Sequence, residues 1–283
     1  MRIVQFSDTH ISHRGGIGRA NTGLLIDYLN NVARPDLVIN SGDLVILDPD
    51  EAGDRDAAVR VHQRIEAPLR VIPGNHDVGE CAADPWRGIG VSSERVRNFR
   101  SAWGSDRFAV FGDAARDAAG WVFAGINSEL CSSGLPEEEE QWAWLEEVAA
   151  RAAGLSVLFF LHKPLIIDGG ARDGITVSAA SRDRILSTFS RVDLRVVASG
   201  HLHRYRYTAN GGPTAVWAPS LAFSPPADPE LNWGPGTAGI VEYTVHGDQV
   251  DTRFTVVPGI AGAADFYLLP EVKESMEALE RSL

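Results

Sequence analysis

Five short apolar runs in this chain each end in Asp, Asn or His, and that placement constrains the fold more than any other feature. Arg2–Phe6 runs into Ser7-Asp8-Thr9-His10, Asp36–Asn40 into Ser41-Gly42-Asp43, and Leu69–Ile72 into Pro73-Gly74-Asn75-His76-Asp77. Leu155–Leu161 runs into His162, and Leu194–Ala198 into Ser199-Gly200-His201-Leu202-His203. Runs of this length read as buried strands, and their alternation with helical patterns through the first two thirds predicts an α/β domain. Ligands of open α/β sheets bind at the carboxyl ends of the strands. Five successive strand ends therefore aim oxygen and nitrogen donors at one edge.

The spacing has chemical sense. In Asp8-Thr9-His10 and His201-Leu202-His203 the donors are two apart, so an extended backbone sends both side chains from one face. Gly42, Gly74 and Gly200 stand just before donors, where chains must converge closely. Of the eight histidines, His10, His76, His162, His201 and His203 sit at these strand ends, leaving His13, His62 and His246 elsewhere. Imidazole mixed with carboxylate suits Zn, Mn or Fe, whereas an all-oxygen shell would suit Mg or Ca. The pattern predicts a dinuclear transition-metal site.

Composition narrows the partners. A net charge of −12, from 38 acidic and 26 basic residues, disfavours long nucleic acids held in a basic groove and leaves a small phosphorylated substrate compatible. Cys81 and Cys131 are too few for a disulfide framework or a Cys-rich zinc site and read as incidental thiols. The start MRIVQFSD carries no signal-peptide pattern, and no apolar run of about 18 residues is present, so no membrane association and a cytoplasmic location are expected.

Elsewhere, Asn21–Val32 predicts a helix with Leu24, Leu25, Tyr28, Leu29 and Val32 on one face and Thr22 as a cap. Pro136 opens another, whose first-turn acids Glu137–Glu140 suit the helix dipole better than a metal. After residue 200, strands at Arg204–Thr208, Thr214–Ala218, Gly239–Val245 and Val250–Val256 read as a second sheet packed on the first. The proline-rich stretch Ser220–Thr237 reads as a surface loop walling a pocket. Glu271–Leu283 predicts a short amphipathic helix with Val272, Met276 and Leu279 inward. The glycines between His13 and Gly18 lack the Lys-Ser/Thr ending of a phosphate-binding P-loop.

The five blocks together, Asp8-Thr9-His10, Gly42-Asp43, Gly74-Asn75-His76-Asp77, His162 and Gly200-His201-Leu202-His203, resemble in order and spacing the signature of the calcineurin-like metallophosphoesterases over about residues 1–205. Phe6 to His10, Pro35 to Asp43, and Gly134-Leu135 before a Trp-Leu helix look nearest to the bacterial class III cyclic-nucleotide and glycerophosphodiester phosphodiesterases. Two departures stand out: His162 is followed by Lys163-Pro164-Leu165 rather than a second His and two prolines, and Asn127 stands where relatives often carry Asp.

The resemblance implies a four-layer αββα sandwich of two mixed sheets flanked by helices, with residues 1–260 as the phosphoesterase domain and 261–283 as an extension ending in a helix. It implies one metal ion on Asp8, His10 and His203, a second on Asn75, His162 and His201, and Asp43 bridging, with a hydroxide between the ions attacking phosphorus. His76 would stabilise the phosphoryl oxygens or protonate the leaving alkoxide, with Asp77 orienting its ring. Lys163 is a candidate phosphate contact or else a surface residue, and His13 a candidate for the pocket mouth. The implied activity is hydrolysis of a small phosphodiester, and a homodimer is the expected assembly. Phosphomonoester hydrolysis, a nuclease on the same site, and a non-catalytic metal-binding scaffold are the alternatives.

Overall fold

Alternation of side chains across successive strands gives this chain three apolar layers. In Arg2–Phe6 (β1), Ile3 faces one core and Val4 and Phe6 another, while in Ser156–Phe160 (β6 in chain order) Val157 and Phe159 oppose Leu158 and Phe160. Both strands are thus buried on two faces, which requires two sheets back to back with helices outside. The computed structural model, which describes residues 1–167, 170–224, 236–262 and 266–282, has that arrangement.

The first half comprises β1, α1 (Ile17–Tyr28), β2 (Leu37–Asn40), α2 (Ala52–His62), β3 (Leu69–Val71), the single turn α3 (Asn75–Val78), α4 (Ser93–Trp103), β4 (Phe108–Phe111) and β5 (Trp121–Gly125). There follow α5 (Pro136–Arg151), β6, α6 (Ala179–Thr188), β7 (Asp193–Ser199), β8 (Arg206–Thr208), β9 (Thr214–Trp217), β10 (Ile240–His246), β11 (Gln249–Thr255) and α7 (Pro270–Ser282). One sheet has the order β11-β10-β1-β2-β3 and the other β4-β5-β6-β7-β9-β8, each mixing parallel and antiparallel pairs. Ile3, Ile39, Phe123, Phe160 and Tyr243 lie between the sheets. Leu25, Leu29, Ala57 and Phe99 from α1, its continuation, α2 and α4 cover the first sheet, and Trp142, Leu145 and Ile185 from α5 and α6 cover the second.

The strands after residue 200 do not form a sheet of their own. β8 and β9 extend the sheet of β4 to β7, whereas β10 pairs antiparallel with β1 and β11 with β10. Spacing along the chain carries no information about which edge a late strand joins. β4 is also absent from the sequence reading, since three of its four residues are only half-buried and the run is short. In α1 and its continuation, Leu25 and Leu29 are buried but Leu24 and Val32 are 40% and 65% exposed, because the helix starts at Ile17 and widens into a π turn over Leu29–Ala33 that rotates the face. Thr22 lies inside this helix, its hydroxyl donating to the Gly18 carbonyl, and caps nothing. Of the expected loop at 220–237, residues 225–235 lie outside the described residues, while Leu221, Ala222 and Phe223 are buried rather than superficial.

One polar contact ties the two sheets together directly beneath the strand ends. The Gln5 amide of β1 donates to Ser41 Oγ (2.9 Å) and to the Ser199 carbonyl of β7 in the opposite sheet (3.3 Å), and its oxygen accepts from the Tyr243 hydroxyl (2.7 Å). All of these groups are buried. Tyr243→Phe strands the Gln5 oxygen without a partner and is expected to cost about 1–3 kcal/mol, read as a lower midpoint in urea unfolding; an unchanged midpoint would show that the contact carries no stability.

Candidate metal centre

The donors after β1, β2 and β7 meet because the backbone turns sharply there. Asp8, His10, Asp43, His201 and His203 all have positive φ, between 45° and 69°. This left-handed region is costly for side-chain-bearing residues and is held only where the surroundings over-determine it, commonly at functional sites. The expectation that Asp8 with His10, and His201 with His203, share a face of extended chain is therefore corrected: the pairs converge by curling. Close backbone approach makes glycine necessary at Gly200, where an added Cβ would lie 1.9 Å from Ser7 Oγ and 2.7 Å from Asp8 Oδ2.

Two donor groups result. Asp8, His10, Asp43 and His203 offer ligand atoms within 4.8 Å of one another, as do Asp43, His162 and His201, so that Asp43 belongs to both. Asn75 joins the second group, its Oδ1 3.2 Å from His162 Nε2. The first sheet supplies Asp8, His10, Asp43 and Asn75 from the ends of β1, β2 and β3, and the second supplies His162, His201 and His203 from β6 and β7. Each group straddles both sheets.

Partners on the outer side of the rings fix which nitrogen faces inward. His162 Nδ1 lies 2.8 Å from the Ser41 carbonyl, and His10 Nδ1 lies 3.3 Å from that of Ile46, so in each ring Nδ1–H donates outward and Nε2 points to the centre. His10 Nε2 and His203 Nε2 face each other at 3.2 Å. His203 Nε2 is 3.0 Å from Asp8 Oδ1, a charge contact without hydrogen-bond alignment, and this buried Asp8 oxygen has no hydrogen-bond partner. Inward-facing ring nitrogens and an unsatisfied buried carboxylate oxygen are an arrangement that a divalent cation satisfies once those rings are neutral, and the imidazole and carboxylate mixture fits such an ion.

The electrostatics agree. Burial and the His76 ring push His10 down to about 3, and burial with the His162 and Lys163 charges holds His201 well below its usual value, so both are neutral and ready to coordinate. Burial raises Asp8, but His203 together with His162 outweighs it and holds the carboxyl at about 2. His162 behaves oppositely: burial works against its charge, yet the Asp43 carboxylate, with Oδ2 3.3 Å from Nε2, pushes it up to about 10. Both of its ring nitrogens face oxygen acceptors, as an imidazolium requires.

His76 lies outside both groups. Its backbone N–H donates to Asp43 Oδ1 (2.9 Å), its Nε2 is 3.9 Å from Asp43 Oδ2, its side chain is 19% exposed, and its Nδ1 has no hydrogen-bond partner. Asp77 does not orient that ring. Its carboxylate accepts the N–H groups of Leu44, Val45 and Gly74 at 2.8 to 3.2 Å and so pins the loop after β2 to the loop after β3. Lys163 is neither a free phosphate contact nor a surface residue. It is buried, with Nζ 2.9 Å from Glu129 and 3.6 Å from Glu80, and although burial opposes its charge, Glu129 outweighs burial and raises its pKa. His13 is tied by Nδ1 to Asp54 Oδ1 at 2.6 Å and is not brought into either donor group.

Further supporting groups escaped the sequence reading. Asn40 Oδ1 accepts the Gly42 N–H, while its Nδ2 donates to His62 Nε2 at 2.9 Å; His62, pushed down to about 4 by burial, is the neutral acceptor this requires. Asn40 at a strand end was visible in sequence, but the carbonyls of Ser41 and Ile46, and that of Gly174 beside His201 Nε2 (3.0 Å), carry no residue-specific signal.

A family model described as calcineurin-like phosphoesterase matches residues 1–205. The chain is similar to the serine/threonine-protein phosphatase CPPED1 of Danio rerio, 29% identical over 145 residues that cover 48% of this chain and 42% of that protein. It is also similar to the probable glycerophosphodiester phosphodiesterase GpdQ of Arcobacter nitrofigilis, 26% identical over 216 residues and 74% of each. The chain spans about half the length of the phosphatase relatives. Among solved structures, a dimetal phosphatase from Danio rerio superposes with a TM-score of 0.59 at 14% identity, covering 90% of this chain and 95% of that one, and so shares the fold.

Coordination requires neutral imidazole, so loading metal at pH 7.5 is expected to expel the proton on His162. Because the pKa of that group is raised in the folded protein, its ion pair with Asp43 contributes stability fully below about 6.5 and loses it as pH rises through about 10. Metal affinity accordingly rises with pH across that window. Calorimetric titration with Mn in two buffers of different ionisation enthalpy reads the released proton directly; identical heats in both buffers would contradict the assignment.

Proposed function

The chain belongs to the calcineurin-like phosphoesterase family, and from that premise we propose that it is a metal-dependent hydrolase of small phosphate esters, with phosphodiesters as the preferred class. The observation that carries this reading is the meeting of two donor groups at one shared carboxylate, Asp43. Asp8, His10 and His203 would hold one divalent ion and Asn75, His162 and His201 the other, with Asp43 available to both. Mn, Fe or Zn suits this ligand mixture. Bound there, the ions supply Lewis acidity toward the phosphoryl oxygens and a water of lowered pKa for attack.

The protein's own groups do the rest. Asp43 is fixed on the His76 side by that residue's N–H and on the other by His162, which holds its carboxylate where both donor groups can use it. His76, whose side chain keeps 19% exposure beside Asp43, hands a proton to the departing alkoxide. Two observations favour diesters: the similarity to the glycerophosphodiester phosphodiesterase runs through 74% of both chains, and His76 stands beside the donor groups without belonging to either. The net charge of −12 favours a small substrate over a long nucleic acid.

Mn-loaded protein is expected to hydrolyse bis(p-nitrophenyl) phosphate faster than p-nitrophenyl phosphate and to lose both activities to a strong chelator. Cleavage of the monoester alone would move the substrate class to phosphomonoesters, and cleavage insensitive to the chelator would defeat the metal-dependent reading.

Asp43→Ala is expected to lose activity together with most bound metal. His76→Ala is expected to keep its metal while kcat falls by about 10²–10⁴-fold; loss of metal from this variant, measured by elemental analysis, would make His76 a ligand instead.

A further inference from the structure

One flank of the donor cluster is sealed by aromatic rings that come from beyond residue 205, where the family match ends. The Phe223 ring centroid lies 4.8 Å from that of His10 and 4.4 Å from that of His203. Phe266 stacks on Phe223 at 4.2 Å and stands 6.0 Å from His10 and 6.5 Å from His76. The cover is uneven. The side chains of Asp8, His10 and His203 are 0%, 1% and 9% exposed; on the other side His162 is also buried, but His76 keeps 19% and Asn75 and His201 are only half-buried.

Phe266 is held there by α7, which is fastened at both ends. At its first turn Glu271 Oε1 accepts the Ile17 N–H (2.8 Å) at the start of α1, so closely packed that a Cβ on Gly16 would lie 2.2 Å from that oxygen. At its last turn Glu280 pairs with Arg87 at 3.0 Å, and Arg87 lies over the Trp86 ring. Between these points Val272 and Leu279 are buried against Ile46, Leu47 and Ile89. The Ile46 carbonyl is the group facing His10 Nδ1, so this helix packs on the rim of the metal centre itself.

We propose that Phe266, backed by Phe223, is a specificity-determining wall that restricts the centre to small phosphate esters and rejects phosphorylated protein segments. This rests on the phosphoesterase reading and names the residue that limits its substrates. A phosphoserine within a polypeptide carries chain on both sides of the phosphate and must find room on both flanks of the site. The rings occupy the His10 and His203 flank. A small ester needs only the flank bounded by Asn75, His76 and His201, where the residues of the centre keep their solvent exposure.

The test is calorimetric titration of Mn-loaded protein with orthophosphate and with a short peptide carrying a central phosphoserine, for wild type, Phe266→Ala and Glu271→Ala. The ratio of the two affinities is the readout and needs no turnover. Wild type is expected to bind the peptide at least about tenfold more weakly than orthophosphate, and Phe266→Ala to narrow that gap by about tenfold. Glu271→Ala, which unfastens the segment without removing the ring, moves the ratio the same way. A wild type that binds the peptide as tightly as orthophosphate, or a ratio unmoved in both variants, overturns the wall. Wild type that binds no orthophosphate overturns the phosphoesterase reading and the wall with it.

Discussion

The carboxylate of Asp43 is the point on which the rest of the centre depends. It is buried, sits in left-handed backbone, and takes one hydrogen bond from the His76 N–H while facing the His162 ring. An isolated buried carboxylate is expensive, and the molecule compensates with a positive charge close by. Without an ion that charge is the proton of His162. The loop that carries Asp43 is held in turn by Asp77 through Leu44 and Val45, and by Asn40 through Gly42. Mobility at either clamp would displace a ligand common to both donor groups.

Much of this was legible in the sequence because metal ligands are side chains of a few types and because strand ends are marked by abrupt polarity. Asp8, His10, Asp43, Asn75, His162, His201 and His203 all announce themselves at the ends of apolar runs, and the structure brings all seven together. The means of convergence was not legible. Spacing by two suggests an extended chain, yet the donors use positive φ, a local cost borne because neighbouring loops leave no alternative. Strand pairing after residue 200 was equally silent, since the sequence of β8 to β11 fixes their polarity pattern but not the edge each one joins.

The misread residues share one cause. Asp77 and Lys163 lie beside ligands in the chain, and nearness in sequence suggested chemistry for each. Both are instead engaged by partners that a linear reading cannot supply: backbone amides of Leu44 and Val45 from another loop, and Glu129 from after β5. A charged side chain next to a catalytic motif is informative only once its countercharge is known.

The Gln5 contact lies where the two sheets meet, and the donor groups lie across the same seam. Each ion position draws ligands from both sheets, so sliding one sheet over the other by even part of a residue would spoil both positions together. Occupancy of the centre is therefore a measure of how the two halves are aligned. Any ion that binds the aligned form and not the misaligned one favours alignment in proportion to its affinity. The core and the donor cluster thus form a single cooperative unit, in which a bound ion would act as the last cross-brace of the fold.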